Sequence, residues 1–171
     1  MTHRAALDLG GYLPYLINRV GSALVVDFSA AALARHRLSI GMWRVLAVLA
    51  SEGRQRQIDL AELTSIDTST LSRVVTRLMR MALVTRTRAK ASSREVVIEL
   101  TPKGEAIVER LTPTAIAYEE IAAAGIAAEE LALVRRALRQ MHRNLREARE
   151  RDGRPETAKP AAARKAAGGK G

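Results

Sequence analysis

Apolar side chains recur every three or four residues over most of the chain, a spacing that places them on one face of an α-helix. The stripe from Leu9 to about Arg37 predicts one long first helix. Ser39 is a favourable N-cap for a second helix over Ile40–Ser51, which Gly53 would end.

Two shorter helices follow at close spacing. The first is predicted at about Ile58–Ser65, and the second begins after Asp67 or Thr68 and runs to about Met81. Only two or three residues separate them, as in a helix-turn-helix pair. The second helix has one apolar face and one face of serine, threonine and arginine.

The period changes to two over Val84–Thr101, and this alternation on both sides of a polar segment predicts a β-hairpin. Arg86 and Arg88 lie on the first strand, opposite a strand that carries Glu95 and Glu99. These arginines could form cross-strand ion pairs with the glutamates or contact DNA phosphates, and the sequence favours neither alternative.

Helical spacing then returns. Thr101 and Pro102 are a favourable N-cap and first residue for a helix to about Ala124. A last helix is predicted at about Ala128–Arg149, with apolar residues spaced as in a coiled coil. They are Leu131, Val134, Leu138, Met141 and Leu145. From Asp152 the chain has no periodicity, and its Ala, Gly, Pro, Lys and Arg composition predicts a disordered basic tail.

The composition narrows the function. The chain has 171 residues, the length of one domain with tails, and a formal net charge of +10, which favours an acidic polymer as partner. There is no cysteine, and His3, His36 and His142 are scattered, so we expect no metal site. No nucleophile-base spacing or phosphate loop predicts an enzyme or a cofactor. We expect a cytoplasmic protein without a signal peptide or a membrane span, the longest apolar stretch being Gly21–Leu33.

Positive charge is concentrated between Asp67 and Glu95, a segment that contains several arginines and no acidic residue. Hydroxyls and arginines on a helix suit a major groove, and an arginine at a hairpin tip suits a minor groove. A merely solvated basic face is the alternative. The DNA-binding candidates are Gln57, Thr68, Ser69, Thr70, Ser72, Arg73, Thr76, Arg77, Arg86, Arg88, Lys90 and Arg94.

The order of helices, turn and hairpin resembles the MarR (multiple antibiotic resistance) family of regulators from about Leu7 to Arg149. Three matching stretches are Trp43–Leu46, Leu60–Leu63 and Ser69–Leu78, followed by Leu83-Val84. The most specific is Val96–Gly104, where the second hairpin strand enters the next helix.

This resemblance implies a mainly α protein with a small β-hairpin wing, a six-helix winged helix-turn-helix homodimer on a pseudopalindromic double-stranded DNA operator. Residues 1–37 and 102–150 would dimerise, residues 38–101 would bind DNA, and residues 151–171 would form the tail. Two positions depart from the family pattern. Ala82 replaces a glycine, which makes a left-handed turn less comfortable. Ser92 replaces an aspartate that holds the wing-tip arginine, here Arg94.

Family members often bind a small anion or aromatic acid between the dimerisation helices and the DNA-binding lobe. An aromatic wall with an arginine suits an aromatic carboxylate or its coenzyme A thioester. The candidates are Tyr15, Asn18, Phe28, Arg35, His36, Trp43 and Arg44. Phe28 and Trp43 equally suit an ordinary core, and His36 suits the C-terminus of the first helix.

A repressor released by such an effector is the function that these features favour. The alternative is a non-specific architectural DNA-binding protein without an effector, whose basic tail supplies much of the affinity. The last helix separates the two hypotheses, since a symmetric dimer implies half-sites at a fixed spacing.

Overall fold

The computed structural model describes residues 7–88 and 96–153, and for Arg88 only the backbone. Within these ranges the chain forms six α-helices and three short strands. The helices are α1 (Leu13–Phe28), α2 (Ile40–Glu52), α3 (Gln57–Thr64), α4 (Thr68–Arg80), α5 (Pro102–Ala123) and α6 (Ala128–Arg151). The strands are β1 (Gln55–Arg56), β2 (Val84–Arg88) and β3 (Val96–Leu100). The predicted winged helix-turn-helix architecture is confirmed.

The first helix begins later than the sequence pattern predicts. Helical structure starts at Leu13 instead of Leu9, because Gly10 and Gly11 favour a turn, in which the Gly10 amide donates to the Asp8 carboxylate at 3.0 Å. Beyond Phe28 the chain continues through a π-helical turn and a 3₁₀ turn to His36. Arg37, at φ 55°, ends the segment as predicted.

Helix α2 begins and ends at its predicted caps, and α4 begins at one of its two predicted N-caps. The Ser39 hydroxyl accepts a hydrogen bond from the Met42 amide at 3.3 Å, and Gly53 ends α2 at φ 72°. Residues 65–67 separate α3 from α4, which begins after Asp67. The apolar face of α4 is at most 1% exposed at Leu71, Val75 and Leu78 and forms the core with α2 and α3, whereas Met79 is 40% exposed.

The strands form an antiparallel sheet in the order β1-β3-β2, and β1 was not predicted. The register places Thr85 opposite Glu99 and Arg86 opposite Ile98. The Thr85 hydroxyl donates to Glu99 at 3.2 Å, so Glu99 pairs with Thr85 and not with Arg86. Glu95 lies outside the described residues.

Helix α5 contributes Val108 and Leu111 to the hydrophobic core, whereas α6 has no buried residue. Helix α5 passes through Pro113 and packs along α1. Gly125, at φ 81°, separates it from α6. Two exposed ion pairs tie α6 to the rest of the chain, Arg135 to Glu119 of α5 at 2.8 Å and Arg146 to Glu62 of α3 at 3.5 Å.

From the sequence we expect no segment as long as a membrane span. This expectation is wrong, because one helix is long and apolar enough to cross a membrane, judged by length and composition only. The helix over Leu13–His36 has 24 residues and a mean hydropathy of 1.4 in its most apolar window. The apolar side of this helix includes Leu13, Ile17 and Val20, which are all exposed in the single chain. A helix that packs against another protein chain would show the same exposed apolar side chains when that partner is absent.

Helix α4 ends in a left-handed turn at Ala82, as the sequence comparison with the family implied. The Ala82 amide donates to the Met79 carbonyl at 2.9 Å and the Leu83 amide donates to the Leu78 carbonyl at 3.0 Å, with Ala82 at φ 57°. Glycine usually occupies this position because a Cβ atom is strained there.

We therefore predict that Ala82→Gly stabilises the protein by about 1 kcal/mol, the strain removed less the added chain entropy. Thermal unfolding should show a melting temperature about 2–4 °C higher. Ala132→Gly, at an exposed position in the second turn of α6, is the control and should destabilise the protein by roughly 0.5–1 kcal/mol. Equal destabilisation by both changes would contradict the strain at Ala82.

Candidate nucleic-acid interface

The polar face of α4 is the largest continuous group of predicted DNA-binding residues that the structure describes. Its exposed members are Thr68, Ser69, Arg73, Thr76 and Arg77, and its half-buried members are Thr70 and Ser72. The opposite face is buried against the core, so the helix can present this side to a groove without unfolding.

Asp67 fixes the N-terminal end of this face. Its carboxylate accepts hydrogen bonds from the Ser69 hydroxyl at 2.6 Å and the Thr70 amide at 2.9 Å. These bonds, with the positive charge of Arg73 as a smaller cause, hold the pKa of Asp67 far below its usual range. The N-cap is therefore ionised at neutral pH, and the Ser69 hydroxyl proton is committed to it.

The arginines of this face have little to bind within the chain. Arg73 donates to the Thr70 hydroxyl at 3.3 Å. Arg77 and Arg86 have no hydrogen bond or ion pair among the residues that the structure describes, and both are exposed. The Thr76 hydroxyl donates back to the Ser72 carbonyl at 2.8 Å. Unpaired guanidinium groups on an exposed helix and strand are suited to binding phosphates or base edges.

Other predicted DNA-binding residues stand apart from this face. Gln57 begins α3, and its side-chain oxygen is buried without a hydrogen-bond donor in the described part of the chain. The Lys90, Ser92 and Arg94 predictions fall outside the described residues, as does the side chain of Arg88.

Two neighbouring openings beside α1 contain part of the predicted ligand site. A groove of about 470 Å³ between α1 and α2 has Asn18 and Arg44 in its lining. Arg44 is exposed and has no hydrogen bond or ion pair with any described residue, which leaves its guanidinium available to an anion. Ile17, Val25 and Val26 supply apolar surface to the same groove.

The second opening is an apolar cavity of about 380 Å³ between α1, α2 and α5, with Phe28 and Tyr118 in its lining. Val25 lines both openings. Phe28 is also 6% exposed and meets the Trp43 ring edge-to-face, with 5.3 Å between ring centroids, so these two aromatics form part of the core. Glu119 lies at this cavity and is paired with Arg135.

The remaining ligand candidates line neither opening. Tyr15 lies on α1 with the Arg19 guanidinium 5.7 Å from its ring centre. Arg35 and His36 lie in the 3₁₀ turn after α1. Tyr118 and Glu119 were missed by the sequence analysis, although Leu111, Ala115 and Tyr118 share the helical spacing that could have identified this face of α5.

A third opening, of about 540 Å³, lies between the end of α2, β3 and α5. Arg54 and three glutamates, Glu99, Glu105 and Glu109, are in its lining. In residues 7–88 and 96–153 no three histidine or acidic side chains are arranged to hold a metal ion.

The fold and the α4 face define a winged helix-turn-helix protein, and known proteins with the same fold resemble it in sequence. The MarR family model matches residues 38–96. A MarR-family transcriptional regulator from Silicibacter pomeroyi has the same fold at a TM-score of 0.75 and 29% identity, covering 84% of this chain and 96% of that one. The chain is thus similar to MarR-family regulators over residues 38–96 and in its fold.

Two further relatives have names that describe their regulation. The homoprotocatechuate degradative operon repressor of Escherichia coli is 33% identical over 90 residues, 52% of this chain. That alignment spans only 61% of the Escherichia coli protein. BpsR of Bordetella bronchiseptica, whose DNA binding is regulated by 6-hydroxynicotinic acid, is 27% identical at a TM-score of 0.68 and covers 76% of this chain and 98% of its own.

Proposed function

We propose that this chain is a sequence-specific DNA-binding transcriptional repressor that acts as a homodimer and leaves its operator when a small aromatic acid binds. The exposed face of α4 carries the proposal, because its hydroxyls and the unpaired Arg77 suit phosphates and base edges together. Regulation of DNA binding in BpsR and repression by the Escherichia coli relative support the same assignment.

In this proposal the chain is a regulator and not an enzyme, and it needs no cofactor. The family match supports that choice. It acts in the cytoplasm, where its operator is. The apolar side of the helix over Leu13–His36 is then an interface between protomers rather than a membrane span.

The dimer is proposed because three helices leave apolar side chains uncovered in the single chain. On α6 these include Val134, Leu138 and Leu145, which are 42–59% exposed. On α1 they are Leu13, Leu16, Ile17 and Val20, and near the end of α5 they are Ile116 and Ile121. Burying such side chains against a second copy is worth about 1.5–3 kcal/mol for each one fully covered. Helices α1, α5 and α6 would therefore dimerise, and residues 38–101 would bind DNA.

The effector is proposed to bind at the groove of Asn18 and Arg44 and to use the neighbouring apolar surface. The Arg44 guanidinium suits a carboxylate, and the adjoining cavity of Phe28 and Tyr118 suits an aromatic ring. The 6-hydroxynicotinic acid that regulates BpsR is of this class, and the operon of the Escherichia coli repressor degrades another aromatic acid, homoprotocatechuate. A coenzyme A thioester of such an acid is the other form that the site could accept.

Binding there is proposed to change DNA affinity, because α1 and α5 belong to the dimerisation helices and α2 belongs to the DNA-binding unit. An effector shifts this equilibrium only by its difference in affinity for the two states. By reciprocity, operator DNA must weaken effector binding by the same factor.

Replacing Arg73 or Arg77 with alanine should separate base contacts from bulk charge. For at least one of them we expect a loss of roughly 1–3 kcal/mol on a duplex enriched by the wild-type protein from a random pool. Arg110→Ala, an exposed arginine on α5, is the matched control and should change this affinity little. Competition against sheared genomic DNA at about 0.15 M salt provides the measurement.

Removal of residues 154–171 gives the contrasting result in the same assay. If the lysines and arginines of the tail bind phosphates, their removal should weaken binding to both DNAs and make the salt dependence shallower. A change of sequence preference on tail removal, or equal affinity of the wild-type protein for both DNAs, would favour the architectural role instead.

Leu138→Asp should abolish both dimerisation and tight operator binding, because it places a charge in the uncovered apolar stripe of α6. Light scattering after size exclusion gives the mass, and a binding titration gives the affinity. Leu133→Asp is the matched control, since Leu133 is 51% exposed on the opposite side of α6 and should leave the dimer intact. A monomeric Leu138→Asp protein that still binds its operator tightly would exclude the proposed dimer.

Titration of 6-hydroxynicotinic acid and homoprotocatechuate, followed by the fluorescence of Trp43, should give weaker binding when operator DNA is present. Arg44→Gln should weaken the acids by about tenfold or more, because it removes a charged hydrogen-bond donor. The uncharged amide of each acid is the control ligand and should be insensitive to Arg44→Gln. Equal affinity with and without DNA would mean that the ligand does not release the operator.

A further inference from the structure

Helix α4, which is the recognition helix in the proposed function, ends against the N-terminus of α5. Met81, Ala82 and Leu83 follow the last residue of α4, and their carbonyl groups need donors from outside that helix. Donors from the start of α5 bind all three. We call this contact the α4–α5 junction.

Thr101 supplies two of the three donors. Its hydroxyl donates to the Ala82 carbonyl at 2.8 Å, and its amide donates to the Leu83 carbonyl at 3.1 Å. The same hydroxyl accepts from the Gly104 amide at 3.0 Å as the N-cap of α5. One side chain therefore ends one helix and begins the next.

Gly104 permits the close approach of the two helices. A Cβ atom at this position would overlap the carbonyl oxygen of Leu83 and lie 3.1 Å from its carbonyl carbon. Both atoms are backbone, so the overlap could be relieved only by separating α5 from the end of α4. The two backbones are thus packed without room for a side chain.

Lys103 supplies the third donor and the only charge. Its ammonium donates to the Met81 carbonyl at 3.0 Å, while the rest of the residue is exposed. A cation at this end of α4 also opposes the negative end of the helix dipole. Lys103 therefore holds the last turn of α4 from outside the core.

The junction determines how α4 is oriented relative to the rest of α5. Helix α5 packs along α1, and its far end carries the exposed Ile116 and Ile121. If α5 belongs to the dimer interface, the two recognition helices of a dimer are held at a separation and angle set at this contact.

We propose that Lys103 is a positioning residue for operator binding, which fixes the direction of α4 through the Met81 carbonyl without contacting DNA. This inference rests on the proposed function, since it requires a dimer that binds two half-sites. The positioning role makes Lys103 a determinant of half-site spacing, with Thr101 and Gly104 as the fixed part of the same junction.

The test compares Lys103→Met with Lys103→Arg, which keeps a cationic donor, and with Arg110→Met. The last removes a positive charge from α5 without touching α4. The probes are the duplex enriched by the wild-type protein from a random pool and derivatives with one or two base pairs added or removed between its half-sites. Each added base pair moves a half-site by about 3.4 Å along the DNA. Thermal unfolding confirms that each variant is folded.

We expect Lys103→Met to reduce discrimination between the original and the altered spacings by roughly fivefold. Lys103→Arg should restore it, Arg110→Met should not affect it, and the salt dependence of binding should be the same for all. A lysine that contacts a phosphate would instead lower the slope of log K against log salt by about 0.9 and leave the spacing preference unchanged.

That second pattern, or a Lys103→Met protein indistinguishable from wild type in both measurements, would overturn the proposal. The proposed function fails in a different way, through a wild-type protein that shows no preference for any spacing. Measurements on the wild-type protein therefore distinguish a failure of the Lys103 proposal from a failure of the proposed function.

Discussion

The carbonyl groups at the end of helix α4 need donors, and that requirement shapes the winged helix-turn-helix part of this protein. Helix α4 stops in a left-handed turn so that the chain can enter strand β2. The carbonyls exposed by this turn are bound by Thr101 and Lys103, which follow strand β3 directly. Wing, recognition helix and α5 therefore meet at one place, and Gly104 keeps them in backbone contact.

The α4–α5 junction connects the polar face of α4 to helices that have exposed apolar side chains. The α4 face carries hydroxyls and arginines, whereas α1 and α6 carry uncovered leucine, isoleucine and valine side chains. The described residues of a single chain leave these apolar side chains uncovered, and in the proposed dimer a second copy would cover them by symmetry. The groove with Asn18 and Arg44 in its lining lies between α1 and α2. A ligand bound there would change how the polar and apolar surfaces are positioned relative to each other.

The sequence was informative wherever a local signal determines the structure. Ser39 was predicted as a cap, and Asp67 as one of two possible caps with Thr68, because a single side chain satisfies the first amides of a helix; Ser39 and Asp67 both do so. The hairpin followed from its period of two. In contrast, β1 has only two residues, and its pairing with β3 depends on a distant strand that no local pattern reveals. The start of α1 was wrong because Gly10 and Gly11 outweigh the apolar stripe.

The candidate site was predictable in part for the same reason. The polar face of α4 follows from helical spacing, so its residues were found together. The predicted ligand-binding residues do not form one site. Phe28 and Trp43 pack on each other, and the cavity beside Phe28 is completed by Tyr118 from α5, which is remote in sequence. Sequence spacing also could not show that Lys103 and Thr101 bind the end of α4, about twenty residues earlier, since that contact depends on how the hairpin folds back.

Symmetric and sequence-specific DNA binding is most directly tested by hydroxyl-radical footprinting of the wild-type protein on the duplex it enriches from a random pool. A dimer with one recognition helix per half-site predicts two protected regions related by a two-fold axis. Their centres should be one helical turn apart, about 10–10.5 base pairs, or a whole multiple of that distance. Even protection along the whole duplex, or a single protected region without a symmetric counterpart, would contradict it.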